Sequence, residues 1–213
     1  MHYSNRSEAG QQLAMALDNY RGQDVIVLAL PRGGVPVAAE VASHLGAPLD
    51  LLLVRKIGVP WQPELAMGAV IDGSKPAVVR NEETIRLAGI SDAEFDGVCQ
   101  RELAEIERRR RLYFGDRPPA ETEGRVVIII DDGIATGATV KAAVVGLKTK
   151  KPARIVVAVP VAPPGAVAEI KKEADEVVCP LQPRMFGAIG YFYGDFEQLT
   201  DGEVIRILSD RET

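Results

Sequence analysis

The 213-residue chain has few cysteines, only Cys99 and Cys179, and few aromatic residues, at 5%. Two cysteines so far apart fit neither a zinc spacing nor a disulfide framework, so a reducing cytoplasm is the expected setting. Long apolar runs are missing. The strongest, residues 25–30 and 126–130, fall far short of the ~18 residues of a membrane-spanning helix. The start, Met1-His2-Tyr3-Ser4-Asn5-Arg6, has no apolar stretch of the signal-peptide kind. Positive charge is in deficit, with 25 Lys and Arg against 30 Asp and Glu and a net charge of −5. That balance disfavours generic nucleic-acid binding, whose affinity comes mostly from phosphate contacts. Neither nucleic acid nor membrane is an expected partner. There is no internal repeat, no Walker pattern and no Gly-x-Gly-x-x-Gly, which lowers nucleoside-triphosphatase and dehydrogenase readings. His2 and His44 have no metal-ligand spacing.

What is present is an ordinary globular composition, 46% apolar and 26% charged, long enough for a substantial core. Residues 25–30, 49–54, 126–130 and 155–161 are short apolar runs of the kind that form parallel strands buried on both faces. Shorter strands are expected at 65–71 and 77–80, joined by a turn at 72–76, and at 176–179. Helical spacing marks 5–20, 35–45, 138–147, 164–172 and 201–208. Residues 81–113 form the most charged segment, with Phe95, Cys99, Leu103, Ile106 and Tyr113 on one helical face. Glu105–Arg109 and Glu107–Arg111 are i,i+4 pairs on its other side. Strands alternating with helices predict a three-layer α/β fold with a mostly parallel sheet.

Ligands of such sheets sit at the carboxyl ends of the strands. Three strand ends here carry unusual residues. In the first, residues 126–130 run into Asp131-Asp132 and then Gly133-Ile134-Ala135-Thr136-Gly137-Ala138-Thr139 at the start of a helix. Backbone N–H groups, a helix N-terminus and two hydroxyls make an anion site. The two carboxylates suit hydroxyl groups or a hydrated Mg²⁺ beside it, directly or through water. One phosphate next to a diol is what a ribose 5-phosphate presents. A bare acidic strand end capping the next helix is the plainer reading of Asp-Asp taken alone. The second strand end is Pro31-Arg32-Gly33-Gly34, where paired glycines permit close backbone approach to an anion, or a simple turn. The third is Arg55-Lys56, two cations leaving a strand together. They read as a solvated pair or as a local positive site.

The string 126–139 resembles the phosphoribosyl-diphosphate (PRPP) signature of type I phosphoribosyltransferases: an apolar strand, two acids, two or three residues, then Thr-Gly-x-Thr. With Pro-Arg-Gly-Gly and Arg-Lys in the same order, the resemblance covers residues 24–160. It is nearest to a little-characterised bacterial group with Pro-Arg-Gly-Gly and a long helical insertion. The resemblance implies a three-layer, Rossmann-like fold in one domain over 1–213. Its core would be at about 21–56 and 125–180, its insertion at about 57–124 and its hood at about 180–213. It implies transfer of a 5-phosphoribosyl group from Mg²⁺–PRPP to a nitrogen acceptor, a nucleobase by analogy with that family, with release of pyrophosphate. A PRPP-binding regulator without transferase activity is the alternative, and a phosphate-binding protein such as a phosphatase is a third. By resemblance, Asp131 and Asp132 face the ribose hydroxyls or Mg²⁺, and Gly133, Ile134, Ala135, Thr136, Gly137, Ala138 and Thr139 hold the 5-phosphate. Pro31, Arg32, Gly33, Gly34, Arg55 and Lys56 face the pyrophosphate. A cis peptide is expected at Pro31–Arg32. The family is often dimeric, which implies a homo-oligomer.

Three features depart from the better-known members or stay open. Hypoxanthine and guanine enzymes carry an Asp where this chain has Ala135. The run Arg108-Arg109-Arg110-Arg111 reads either as a closing phosphate clamp or as a solvated face paired with Glu105 and Glu107, the second being favoured. Residues 180–196 hold five of the ten Phe and Tyr residues and form the candidate acceptor hood, with core packing as the plainer explanation.

Overall fold

A computed structural model describes residues 2–73 and 75–210. Ser74, within the expected 72–76 turn, lies outside them, as does the end of the hood beyond residue 210. The central sheet has five parallel strands: β1 (Val25–Ala29), β2 (Leu49–Leu51), β6 (Val126–Ile130), β7 (Arg154–Ala158) and β8 (Glu176–Val178), in the order β2-β1-β6-β7-β8. Alternate residues of these strands face two separate cores. Val25, Val27 and Ala29 pack with helices α1 (Arg6–Ala16) and α2 (Gly34–Leu45). Ile26, Leu28, Val127 and Ile129 pack with α5 (Ala138–Lys148) and α6 (Pro164–Ile170). Helices therefore cover both faces, which is why these strands have no polar side. α1 begins where Asn5 accepts from the Glu8 N–H, and it ends at Ala16. The last turn of the expected 5–20 helix is instead a separate 3₁₀ turn, Asp18–Tyr20.

The register sets the position of the site. Val25 lies beside Val126 and Ala29 beside Ile130, so β1 and β6 end level with one another. From β1 the chain moves outward to β2, whereas β6 leads the other way to β7, which opens a crevice between the carboxyl ends of β1 and β6.

The expected 49–54 strand is corrected. β2 stops at Leu51, and Val54 opens β3 (Val54–Val59) of a second, antiparallel sheet. That sheet continues through β4 (Gln62–Ile71) and β5 (Ala77–Arg80). The buried Leu52 and Leu53 turn the corner, with the Leu52 N–H on the Ala29 carbonyl and the Leu53 carbonyl accepting from the Asp72 N–H. An apolar run shows burial but not which sheet buries it. Arg55 and Lys56 consequently lie within β3 and not on a loop after a central strand.

The charged segment divides at Gly89, which is left-handed at φ 65°, into α3 (Glu82–Ala88) and α4 (Asp92–Phe114). A capping box of Ser91 and Glu94 starts α4. Phe95, Val98, Cys99 and Ile106 join Ile57, Val59 and Met67 in one core, so α4 lies against the antiparallel sheet. The C-terminal helix α7 (Asp201–Ser209) is tied to α4 by the Tyr113 hydroxyl, which donates to Asp201 at 2.6 Å. Among the described residues, no helix is long and apolar enough to cross a membrane.

Candidate active site

At the crevice the Pro31-Arg32-Gly33-Gly34 loop presses directly on the Asp-Asp strand end. A Cβ on Gly33 would overlap Asp132 Oδ2, and one on Gly34 would stand 2.6 Å from the Ile130 carbonyl oxygen. The close approach that these glycines permit is thus to the acidic strand end itself. Gly33→Ala is expected to push the Asp132 carboxylate from its place and cost about 1–3 kcal/mol, the usual range for overpacking. Urea unfolding checks this, and an unchanged midpoint would show that the site can absorb the methyl group. The peptide bond between Pro31 and Arg32 is cis, as the sequence resemblance implied.

The two carboxylates have different surroundings. Asp132 Oδ2 accepts from Arg6 Nε at 2.8 Å, and the Asp132 carbonyl accepts from the Tyr193 hydroxyl at 2.5 Å. Asp131 Oδ1 accepts from the Asp132 N–H at 2.9 Å. Burial raises Asp131 well above the ordinary carboxylate range, and the neighbouring Asp132 charge raises it further. Burial also raises Asp132, against the opposing effect of Arg6. A carboxylate pair that resists ionisation gains from a cation or hydroxyl donors brought by a ligand, so its chemistry fits Mg²⁺ arriving on substrate oxygens.

Beyond the pair, Gly137 is left-handed at φ 78° and starts α5. Thr136 and Thr139 are exposed, whereas Ile134 is buried and donates its N–H to the Val161 carbonyl. The α5 N-terminus therefore opens onto the crevice with hydroxyls beside it. Gly133 faces Ile189 of the hood, with no room for a side chain.

A cleft of about 200 Å³ joins Pro31, Arg55, Asp131 and Thr139, with Leu30, Leu52, Leu53, Val54 and Arg109 in its walls. Three separate sequence motifs thus meet at one place. Lys56 turns instead to Glu64 at 3.1 Å and lines a neighbouring groove, which Arg55 also borders. Arg32 is half-buried in its loop and does not line this cleft. A larger cavity, about 580 Å³, sits between α4 and residues 115–119, away from the strand ends.

The architecture has known counterparts. The description "Phosphoribosyl transferase domain" matches residues 6–194. The chain belongs to the phosphoribosyl transferase domain family. A Mycobacterium tuberculosis (strain H37Rv) protein named "Putative phosphoribosyl transferase Rv0571c" is 45% identical over 206 residues, 97% of this chain and 46% of that protein. The chain spans about half the length of the curated relatives it matches. The crystal structure of TT1426 from Thermus thermophilus covers 99% of both chains at 42% identity and a TM-score of 0.83. The AQ2163 protein of Aquifex aeolicus shares only the fold, at 11% identity and a TM-score of 0.51 over 87% of this chain and 78% of that one.

Several residues around this crevice were not legible in the sequence. Arg6, Tyr193 and the Arg6–Phe196 stack, at 3.9 Å to the ring centroid, come from the two ends of the chain. The hood aromatics mostly pack on each other: Tyr3 with Tyr193, Phe186 with Phe192, and Tyr193 with Phe196. That favours the plainer, core-packing explanation of the cluster.

The run of four arginines divides by partner. Arg108 and Arg109 pair with Glu105, and Arg111 pairs with Glu107. Arg110 is buried between Asp50 and Asp72, so neither sequence reading describes it. The signal was Asp50, an acid inside the apolar run 49–53, which required a buried partner.

Proposed function

We propose that this chain transfers the 5-phosphoribosyl group of Mg²⁺–PRPP to a nitrogen acceptor. The bond from C1 of the ribose to pyrophosphate breaks, and a bond from C1 to nitrogen forms. The observation carrying this reading is the meeting of Asp131, Thr139, Pro31 and Arg55 around one cleft at the crevice between β1 and β6. In it, residues 133–139 hold the 5-phosphate by N–H groups and hydroxyls, and Asp131 accepts from ribose hydroxyls as positive character grows at C1. Asp132, fixed by Arg6, keeps that strand end in shape. Arg32, Gly33, Gly34 and Arg55 form the pyrophosphate side, with Arg55 nearest the cleft, whereas Lys56, drawn to Glu64, stands outside it. Mg²⁺ bound to the substrate would neutralise diphosphate charge. Positioning and charge stabilisation do the catalytic work.

We take residues 1–213 as one domain, with a core at about 21–53 and 125–180, an insertion to about 124 that opens with β3 at Val54, and a hood from about 180. A cytoplasmic, homo-oligomeric protein acting in nucleotide metabolism is the accompanying expectation. The acceptor lies under the hood, and a nucleobase is its natural class.

The test is pyrophosphate release from Mg²⁺–PRPP across purines, pyrimidines and small amines. Release with an acceptor is the expected result. Tight PRPP binding without release for any acceptor would favour the regulatory alternative. Absence of PRPP binding would overturn both.

A further inference from the structure

The four consecutive arginines of α4 lie about 100° apart around the helix, so they cannot act together. The side chains of Arg108 and Arg111 are 63% and 69% exposed, and that of Arg110 is 8% exposed. Arg109 alone of the four borders the 200 Å³ cleft, which Asp131 and Thr139 also line.

Its anchoring matches that of Arg55 on the same cleft. Arg55 donates Nε to Glu102 at 2.7 Å, and Arg109 donates Nε to Glu105 at 2.8 Å. Glu102, Glu105 and Arg109 stand at i, i+3 and i+7 along one side of α4. Glu102 and Glu105 thus hold Arg55 and Arg109 by their inner nitrogens, Glu105 also binding Arg108. Among the described residues, the terminal nitrogens of Arg109 and Arg55 have no other hydrogen bond. The Arg108 and Arg109 guanidinium groups hold Glu105 down at about 2, so it stays ionised at any working pH. The next residue, Arg110, locks the rotation of α4 through Asp50 and Asp72.

We propose that Arg109 is a substrate-contacting residue, its terminal N–H groups binding the diphosphate of Mg²⁺–PRPP together with those of Arg55. Two planar forks with free outer donors match tetrahedral phosphoryl oxygens, and Glu105 is the residue that positions one of them. The insertion thereby completes the pyrophosphate side. This inference rests on the transferase reading above.

Titration calorimetry on the full chain tests it, with Mg²⁺–PRPP, Mg²⁺–pyrophosphate and ribose 5-phosphate as the three ligands. Arg109→Ala is expected to weaken the first two by about 10–100-fold, the range of a charge-assisted contact, and to leave ribose 5-phosphate within about twofold. Arg109→Lys is expected to recover part of the loss, and Arg111→Ala to change nothing. Equal loss for all three ligands, or unchanged Mg²⁺–PRPP affinity in Arg109→Ala, overturns the Arg109 assignment alone. A parent protein that binds neither PRPP nor ribose 5-phosphate overturns the transferase reading with it.

Discussion

Asp131→Asn is expected to lose pyrophosphate release by at least about 10²–10³-fold, the scale of removing one preorganised electrostatic contact. The same variant is expected to melt at a higher temperature than the parent at pH 8. Both effects share one cause. The Asp131 carboxyl, half-buried in the cleft wall beside Asp132, has its pKa raised by desolvation and by the Asp132 charge. It therefore binds its proton more tightly in the folded chain than in the unfolded one, where an ordinary value is about 3.9. Between that value and the raised one, the native state holds more protons, so stability falls as pH rises through the window. Asparagine does not titrate, yet it retains an oxygen for the Asp132 N–H. The gain over the parent should be absent near pH 3 and grow towards pH 8, by about 2–4 °C for each kcal/mol relieved in a chain of this size. Melting curves across pH check the sign. A variant less stable than the parent at pH 8 would show that the site already compensates the charge, and retained turnover would remove Asp131 from the mechanism.

Arg110→Ala is expected to destabilise the fold by about 3–5 kcal/mol, because it leaves buried carboxylates without their cation. Arg110 Nη2 bridges both Asp50 oxygens, at 2.9 and 2.8 Å, and Nη1 reaches Asp72 Oδ2 at 2.8 Å. Asp50 also accepts from the Ala120 N–H at 2.7 Å. The cluster thus ties α4, the end of β4 and the chain returning to the core onto β2. Its Nε is buried without a hydrogen-bond partner, so the arrangement already bears one unsatisfied donor. Removing the charges together, as Asp50→Asn/Asp72→Asn/Arg110→Met, should recover most of the loss, since apolar or neutral replacements of buried ion clusters are often tolerated. Urea unfolding measures both. A loss below about 1 kcal/mol for Arg110→Ala would mean that water or Arg117 takes over the aspartates, as at a surface pair.

Elements whose information is local were legible in the residues themselves. The apolar runs of β1, β6 and β7, the small-residue turn that opens α5, and the cap and i,i+4 pairs of α4 all follow from residues within a few positions of one another. The same local strings place acids, glycines and an anion loop at strand ends, because a buried strand must end where its apolar run ends. What those ends meet is a matter of chain topology. The register of β1 with β6 sets Gly33 against Asp132, although about a hundred residues separate them in sequence. Arg6 reaches Asp132 from 126 positions away, and Arg110 reaches Asp50 from 60. The split of 49–54 between two sheets, and the choice of Arg109 over its three neighbours, depend on where α4 is seated against β3. Periodicity states that a side chain is buried or exposed, but the partner that a buried charge selects is set by the packing of distant elements.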